Sequence, residues 1–277
     1  MRAALVQLNS GDDPEENLPV TAGLISEAAD NGAEFVVTPE VTNCVSSSRT
    51  HQSAVLRHEP ADPTLAALAD QAGARGIWLL IGSLALRTDD PDGRFANRSF
   101  LIAPDGAIVA RYDKIHMFDV AISETETYRE SEGYRPGRRA VLARVGTWGV
   151  GLSVCYDLRF PHLYRRLAQA GADILTVPAA FSPISGAAHW HPLLRARAIE
   201  TGCYVLAPAQ EGTHKATRGR ARQTYGHSLA ISPWGDVLAE AGDGPGVIYV
   251  DLEAAEVSKA RKRIPSLGQK AGFDGPE

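Results

Sequence analysis

The run Gly151-Leu152-Ser153-Val154-Cys155-Tyr156-Asp157-Leu158-Arg159-Phe160, followed at once by Pro161, decides how the rest of the chain is read. An apolar, strand-like stretch delivers one cysteine to its carboxyl end, and the chain must turn there before a helical pattern begins near His162. A thiol at a strand tip, with backbone N–H groups just beyond it, has reach into a cleft and dipoles that favour a thiolate or an oxyanion. A small buried residue closing a core strand accounts for this run equally well.

Two other segments shift the balance. Phe35-Val36-Val37-Thr38-Pro39 is a second apolar run and ends in Glu40, while Ile108 to Tyr112 leads into Asp113-Lys114-Ile115-His116. Three strand exits thus carry an acid, a cation and a thiol. In open α/β sheets ligand sites gather at strand carboxyl ends, so separate tips can converge in one cleft.

Pro39-Glu40, Lys114 with His116 and Phe118, and Cys155 to Pro161 together resemble the Glu-Lys-Cys signature of the nitrilase, or carbon–nitrogen hydrolase, superfamily. The resemblance covers nearly the whole chain. It implies an α/β fold in which two mixed sheets face each other with helices outside, a four-layer α-β-β-α sandwich. It also implies amide hydrolysis through a thioester: Glu40 as general base, Cys155 as nucleophile, Lys114 and the Tyr156 N–H meeting the oxyanion, with Glu130 in support. Substrate contacts are expected from Phe118, Tyr128, Arg159, Phe181 and His189. No cofactor or metal is expected. A symmetric homodimer, or a larger even-numbered assembly, would form through the helices near 161–170 and 187–200.

Composition sets limits. The chain has 277 residues, 44% of them hydrophobic, enough for a substantial core, and reads as one domain over 1–277 with a peripheral tail at 269–277. A net charge of −5 and a pI near 5.9 give no broad attraction to nucleic acid or anionic lipid. No secretory leader or membrane-length apolar run is read, so a cytoplasmic protein is expected. Cys44, Cys155 and Cys203 are odd in number and widely spaced, which disfavours a disulfide framework or a zinc site.

Periodicity predicts strands at 2–8, 33–38, 77–84, 97–103, 107–112, 140–145, 149–154, 173–178, 203–207, 226–231, 235–239 and 246–251. Helices are predicted near 15–31, 63–75, 161–170, 187–200 and 253–263. Pro104-Asp105-Gly106 and Pro233-Trp234-Gly235 mark a tight hairpin in each half and suggest two similar sheets. Least order is expected at 89–93, 122–137 and 269–277.

Substrate class is less sharply drawn. The stretch Ala188 to Glu200, with Thr201-Gly202-Cys203-Tyr204 and Tyr225-Gly226-His227-Ser228, resembles the amidase branch that cleaves deaminated glutathione. An omega-amidase acting on α-ketoglutaramate-like substrates is close to it; a nitrilase, an N-carbamoyl hydrolase and a non-enzymatic binding protein are the other readings. Gly212 to Gly235 holds no acidic residue while Lys215, Arg218, Arg220 and Arg222 cluster there. If that loop borders the cleft, it attracts carboxylate-bearing substrates; otherwise it is a solvated basic loop.

Overall fold

The computed structural model describes residues 1–122, 127–269, 272 and 275. Alternating apolar residues build a first six-stranded sheet from β1 (Arg2–Gln7), β2 (Phe35–Val37), β3 (Trp78–Leu86), β4 (Ala96–Ile102), β5 (Ile108–Asp113) and, from the far end of the chain, β16 (Gly246–Asp251). Their order is β16-β1-β2-β3-β4-β5. A short ribbon, β6 (Asp119–Ala121) with β7 (Thr127–Arg129), leads to the second half.

The second sheet comprises β8 (Val141–Val145), β9 (Trp148–Leu152), β10 (Ile174–Thr176), β11 (Tyr204–Ala207), β14 (Leu229–Ile231) and β15 (Val237–Glu240). Another ribbon, β12 (Glu211–Thr213) with β13 (Gln223–Tyr225), interrupts it. In each sheet three central strands run parallel, β1-β2-β3 and β9-β10-β11, and antiparallel hairpins extend the edge. The two expected hairpins turn at Gly106 and Gly235, both at positive φ.

Seven α-helices occur among the described residues: α1 (Pro14–Asp30), α2 (Arg49–Val55), α3 (Pro63–Arg75), α4 (Glu130–Gly133), α5 (Pro161–Gln169), α6 (Pro183–Thr201) and α7 (Ala254–Arg263). The Asp62-Pro63 signal acts as expected: the Asp62 carboxylate accepts from Leu65 N–H, and α3 ends on left-handed Gly76. α6 begins four residues before its expected start because Pro183 occupies the first turn, where a missing N–H costs nothing.

Strand alternation sorts the layers. Ala3, Leu5, Phe35, Val37, Leu80 and Leu101 face the second sheet and join Val150, Leu152, Ile174 and Val205 in one apolar cluster. Their neighbours Ala4, Val6, Val36, Leu79 and Ile81 face outward, onto Ile25 and Ala28 of α1 and Leu65 and Leu68 of α3. α5 and α6 cover the other sheet through Leu163, Leu167, Trp190 and Leu194. Each such side chain removed from water contributes about 1.5–3 kcal/mol. The result is the α-β-β-α sandwich of two mixed sheets.

Several expectations need correction. Residues 127–133, read as part of a loop, form β7 and α4. Residues 123–126, and most of the 269–277 tail, lie outside the described residues. Strands β2, β9 and β10 are shorter than read, since each leaves its ladder early to enter the site.

Candidate active site

The nucleophile turn begins where β9 ends. Ser153 Oγ donates to the Thr176 carbonyl, Val154 N–H to Asp157, and Cys155 N–H to the Pro178 carbonyl. Cys155 then takes φ of 48° and opens a short 3₁₀ turn, Cys155–Arg159. A left-handed conformation is strained for a residue with a β-carbon and persists only when its surroundings impose it.

Asp157 imposes much of it. Fully buried, its carboxylate accepts from Tyr112 Oη at 2.6 Å, Val154 N–H at 2.9 Å, His116 N–H at 3.0 Å and His116 Nδ1 at 2.7 Å. One side chain thus fastens the exit of β5, which carries Lys114, to the turn that carries Cys155. His116, stacked on Phe160, is a partner of this carboxylate rather than of the thiol.

Glu40 follows β2. Next to it Val41 has φ of 45°, and its N–H donates to Ser83 Oγ at 2.7 Å. A β-carbon at the preceding Gly82 would collide with the carbonyl oxygens of Thr38 and Pro39, so glycine is what lets β3 approach this turn.

The three strand exits meet. Lys114 Nζ lies 2.9 Å from Glu40 Oε1 and 2.8 Å from each oxygen of Glu130. Asn97 Nδ2 donates to Glu40 Oε1 at 2.8 Å and Ala180 N–H to Glu40 Oε2 at 3.0 Å, and the buried Cys155 thiol lies near enough for the Glu40 charge to act on it. Glu130 also accepts from Phe118 N–H at 2.6 Å. Lys114, Glu40 and Cys155 are 2%, 4% and 7% exposed, so their charges are felt almost without solvent screening.

Those surroundings fix the protonation states. Burial works against ionising Glu40, but the Lys114 ammonium and the hydrogen bonds from Lys114 and Asn97 outweigh it and hold the carboxyl below its ordinary pKa. Burial and the Glu40 charge push the Cys155 thiol well up, against Lys114 and the Ala180 amide. Burial opposes the Lys114 charge too, yet Glu130 and Glu40 drive its pKa well above the usual value. The resting site is therefore carboxylate, ammonium and neutral thiol.

These groups open into a cavity of about 690 Å³. Of the expected substrate contacts, Phe118, Tyr128 and Phe181 line it, together with Tyr156, expected as a backbone oxyanion donor. Arg159 and His189 do not: the Arg159 guanidinium lies behind Tyr156 and Phe181, and His189 is exposed, with Nδ1 3.3 Å from Arg159. Arg159 closes the 3₁₀ turn after Cys155 and His189 stands on an exposed position of α6, neither of them on the cavity wall. The basic loop is split. Arg220 and Arg222 reach the pocket wall, whereas Lys215 pairs with Glu16 and Arg218 stands outside the lining.

Sequence reasoning missed Asn97, Asp157 and Ala180. The first two left a trace, an asparagine near the start of the Ala96–Ile102 strand and an acid two places after the cysteine; Ala180 acts through its backbone and left none. Among the described residues no group of three or more His, Cys, Asp or Glu side chains could hold a metal ion.

Residues 2–262 match the carbon-nitrogen hydrolase family. The chain is 37% identical over 265 residues to a deaminated glutathione amidase of Yersinia enterocolitica, covering 95% of this chain and 91% of that one. Its fold matches the C. elegans NitFhit protein with a TM-score of 0.87 at 32% identity, covering 97% of this chain and spanning 64% of that longer one. It also matches an amidase from Nesterenkonia sp. AN1, a variant of which shows Michael addition of acrylamide at its active-site cysteine, with a TM-score of 0.77 at 26% identity over 96% of this chain and 98% of that one. With residues 2–262 matched to the family and the whole sandwich matched to solved relatives, the chain belongs to the carbon–nitrogen hydrolase family and is a hydrolase of carbon–nitrogen bonds.

Proposed function

We propose that the protein is an amidase that hydrolyses a small, carboxylate-bearing amide of the deaminated glutathione type through a thioester on Cys155. The observation that carries this reading is the buried cluster of Glu40, Lys114 and Cys155 on the wall of one cavity, with the acid and the cation 2.9 Å apart.

The protonation states set the order of events. With a neutral thiol beside a carboxylate, Glu40 takes the Sγ proton as sulfur attacks the amide carbon, acting as general base. The Lys114 ammonium and the Tyr156 N–H stabilise the oxyanion that develops. Glu40 then gives its proton to the departing nitrogen, the C–N bond breaks, and the acyl group remains on sulfur. A water, deprotonated by Glu40, attacks the thioester carbon; the C–S bond breaks, the thiol recovers the proton, and the acid leaves. Glu130 keeps Lys114 aimed and charged throughout.

Ammonia or amine release measured across deaminated glutathione, α-ketoglutaramate, an N-carbamoyl amino acid and an aromatic nitrile tests the reading. Turnover is expected for the first two and not for the nitrile. Preference for the nitrile or the carbamoyl compound, or silence with all four while Cys155 remains alkylatable, would overturn it. We further take the protein to act as a cytoplasmic homodimer. Three unpaired cysteines suit a reducing compartment, and exposed Ile199, Trp234 and Leu238 around α6 and its neighbouring hairpin suit a self-association face. No helix among the described residues is long and apolar enough to cross a membrane.

A further inference from the structure

The cluster at Cys155 holds two carboxylates, Glu40 and Glu130, against one ammonium, Lys114. An anionic substrate brought there meets a net negative charge, and close like charges repel. Some cation in the same pocket has to offset this.

Arg49, Arg129, Arg220 and Arg222 are the arginines on the pocket wall, and only Arg222 is half-buried, the others being exposed. Its Nε is buried with no hydrogen-bond partner, and no carboxylate among the described residues pairs with its guanidinium. What holds it is a 3.4 Å contact from Nη2 to the Ala180 carbonyl and the face of Tyr128, 5.9 Å from the ring centroid. Arg197 shows the contrast: its Nε and Nη2 both donate to the Leu158 carbonyl and its Nη1 to Glu200. An arginine N–H buried without an acceptor is costly, and the planar fork of donors matches a carboxylate.

The Ala180 peptide fixes its position relative to the chemistry. The N–H of that residue donates to Glu40 Oε2, and its carbonyl accepts from Arg222. One residue's backbone therefore separates the guanidinium from the base, within reach of a short acyl chain. The acyl half stays in the pocket through both half-reactions, whereas the amine departs after the first, so a fixed cation is of most use to the acyl half.

We infer that Arg222 anchors a carboxylate on the acyl half of the substrate, selecting short ω-carboxylate amides over neutral ones. The inference rests on the amidase reading above. Glutaramate and its neutral counterpart glutaramide, assayed by ammonia release, give the selectivity as a ratio of kcat/KM values. In Arg222→Gln that ratio is expected to fall about 10- to 100-fold, mainly through KM for glutaramate, as suits loss of a charge-assisted hydrogen bond; Arg222→Lys should keep part of it. A ratio within about threefold of the parent enzyme in Arg222→Gln would overturn the assignment.

Binding is read separately by titrating glutarate into the Cys155→Ala protein. Glutarate should bind, and adding Arg222→Gln should weaken it about 10- to 100-fold on the same grounds. No glutarate binding to Cys155→Ala, or equal binding with and without Arg222, overturns the anchor whether or not amides are turned over. Absence of turnover with intact, Arg222-dependent glutarate binding would instead count against the amidase reading and for the anchor.

Discussion

Glu40 and Cys155 bear on each other's protonation, and the proposed general-base role of Glu40 rests on that coupling. The Lys114 charge and the hydrogen bonds from Lys114 and Asn97 hold Glu40 ionised; its charge in turn helps hold the proton on sulfur. Glu40→Gln should therefore slow amide turnover by about 10²- to 10⁴-fold, the range of a lost general base. The same change should lower the pH at which the Cys155 thiolate band appears in the ultraviolet, because one cause of the raised thiol pKa is gone. A thiolate titrating at the same or higher pH would show that the two groups are not coupled. The depressed Glu40 pKa also sets a pH window. The carboxylate stays ionised until pH falls through its folded value, below the ordinary value of about 4.3, so its contribution to stability is present above that value and lost beneath it. The acid limb of kcat/KM should likewise lie below about pH 4.3, and a limb near neutrality would contradict this. The sequence pointed to the acid, the cation and the thiol because each follows an apolar strand. It could not show their balance, since Glu40 and Lys114 lie 74 positions apart and their 2.9 Å contact exists only in the fold.

Strand exits position these residues, and Asp157 is what locks two exits together. Asp157→Ala would leave the Tyr112 hydroxyl and the Val154 N–H buried without partners, for a loss of about 2–6 kcal/mol at about 1–3 kcal/mol each. Urea unfolding should show that loss; a change under about 0.5 kcal/mol, the scale of an ordinary surface substitution, would mean the carboxylate is not the clamp described. Elements with strong local signals were legible, as Asp62-Pro63 opening α3 and Pro104-Asp105-Gly106 turning the first hairpin illustrate. The ribbons were not. β6, β7, β12 and β13 are three residues each, too short for periodicity, and β12 pairs with β13 across an intervening loop that only tertiary packing brings back. Glu130 sits just after one of these ribbons, which is why its segment read as a polar loop although its carboxylate bridges Lys114 and Phe118.

Two sheets of like topology, packed face to face, bring strand ends from both halves of the chain to one floor: Glu40 and Lys114 from the first, Cys155 and Ala180 from the second. Paired hairpin signals made this doubling visible in the sequence, while the sandwich itself was implied by the family resemblance. As a homodimer through α5 and α6, the protein should scatter light as twice its 29.6 kDa chain, and Ile199→Arg should shift it towards monomer; a monomeric parent protein would remove the dimer from the reading. The proposed mechanism turns on forming and breaking one covalent bond. Rapid acid quenching during turnover of glutaramate, followed by peptide mass spectrometry, reads that bond. A glutaryl group is expected on the peptide holding Cys155, with none on Cys44 or Cys203. Turnover without acylation of Cys155, or acylation of another residue instead, would contradict the thioester mechanism.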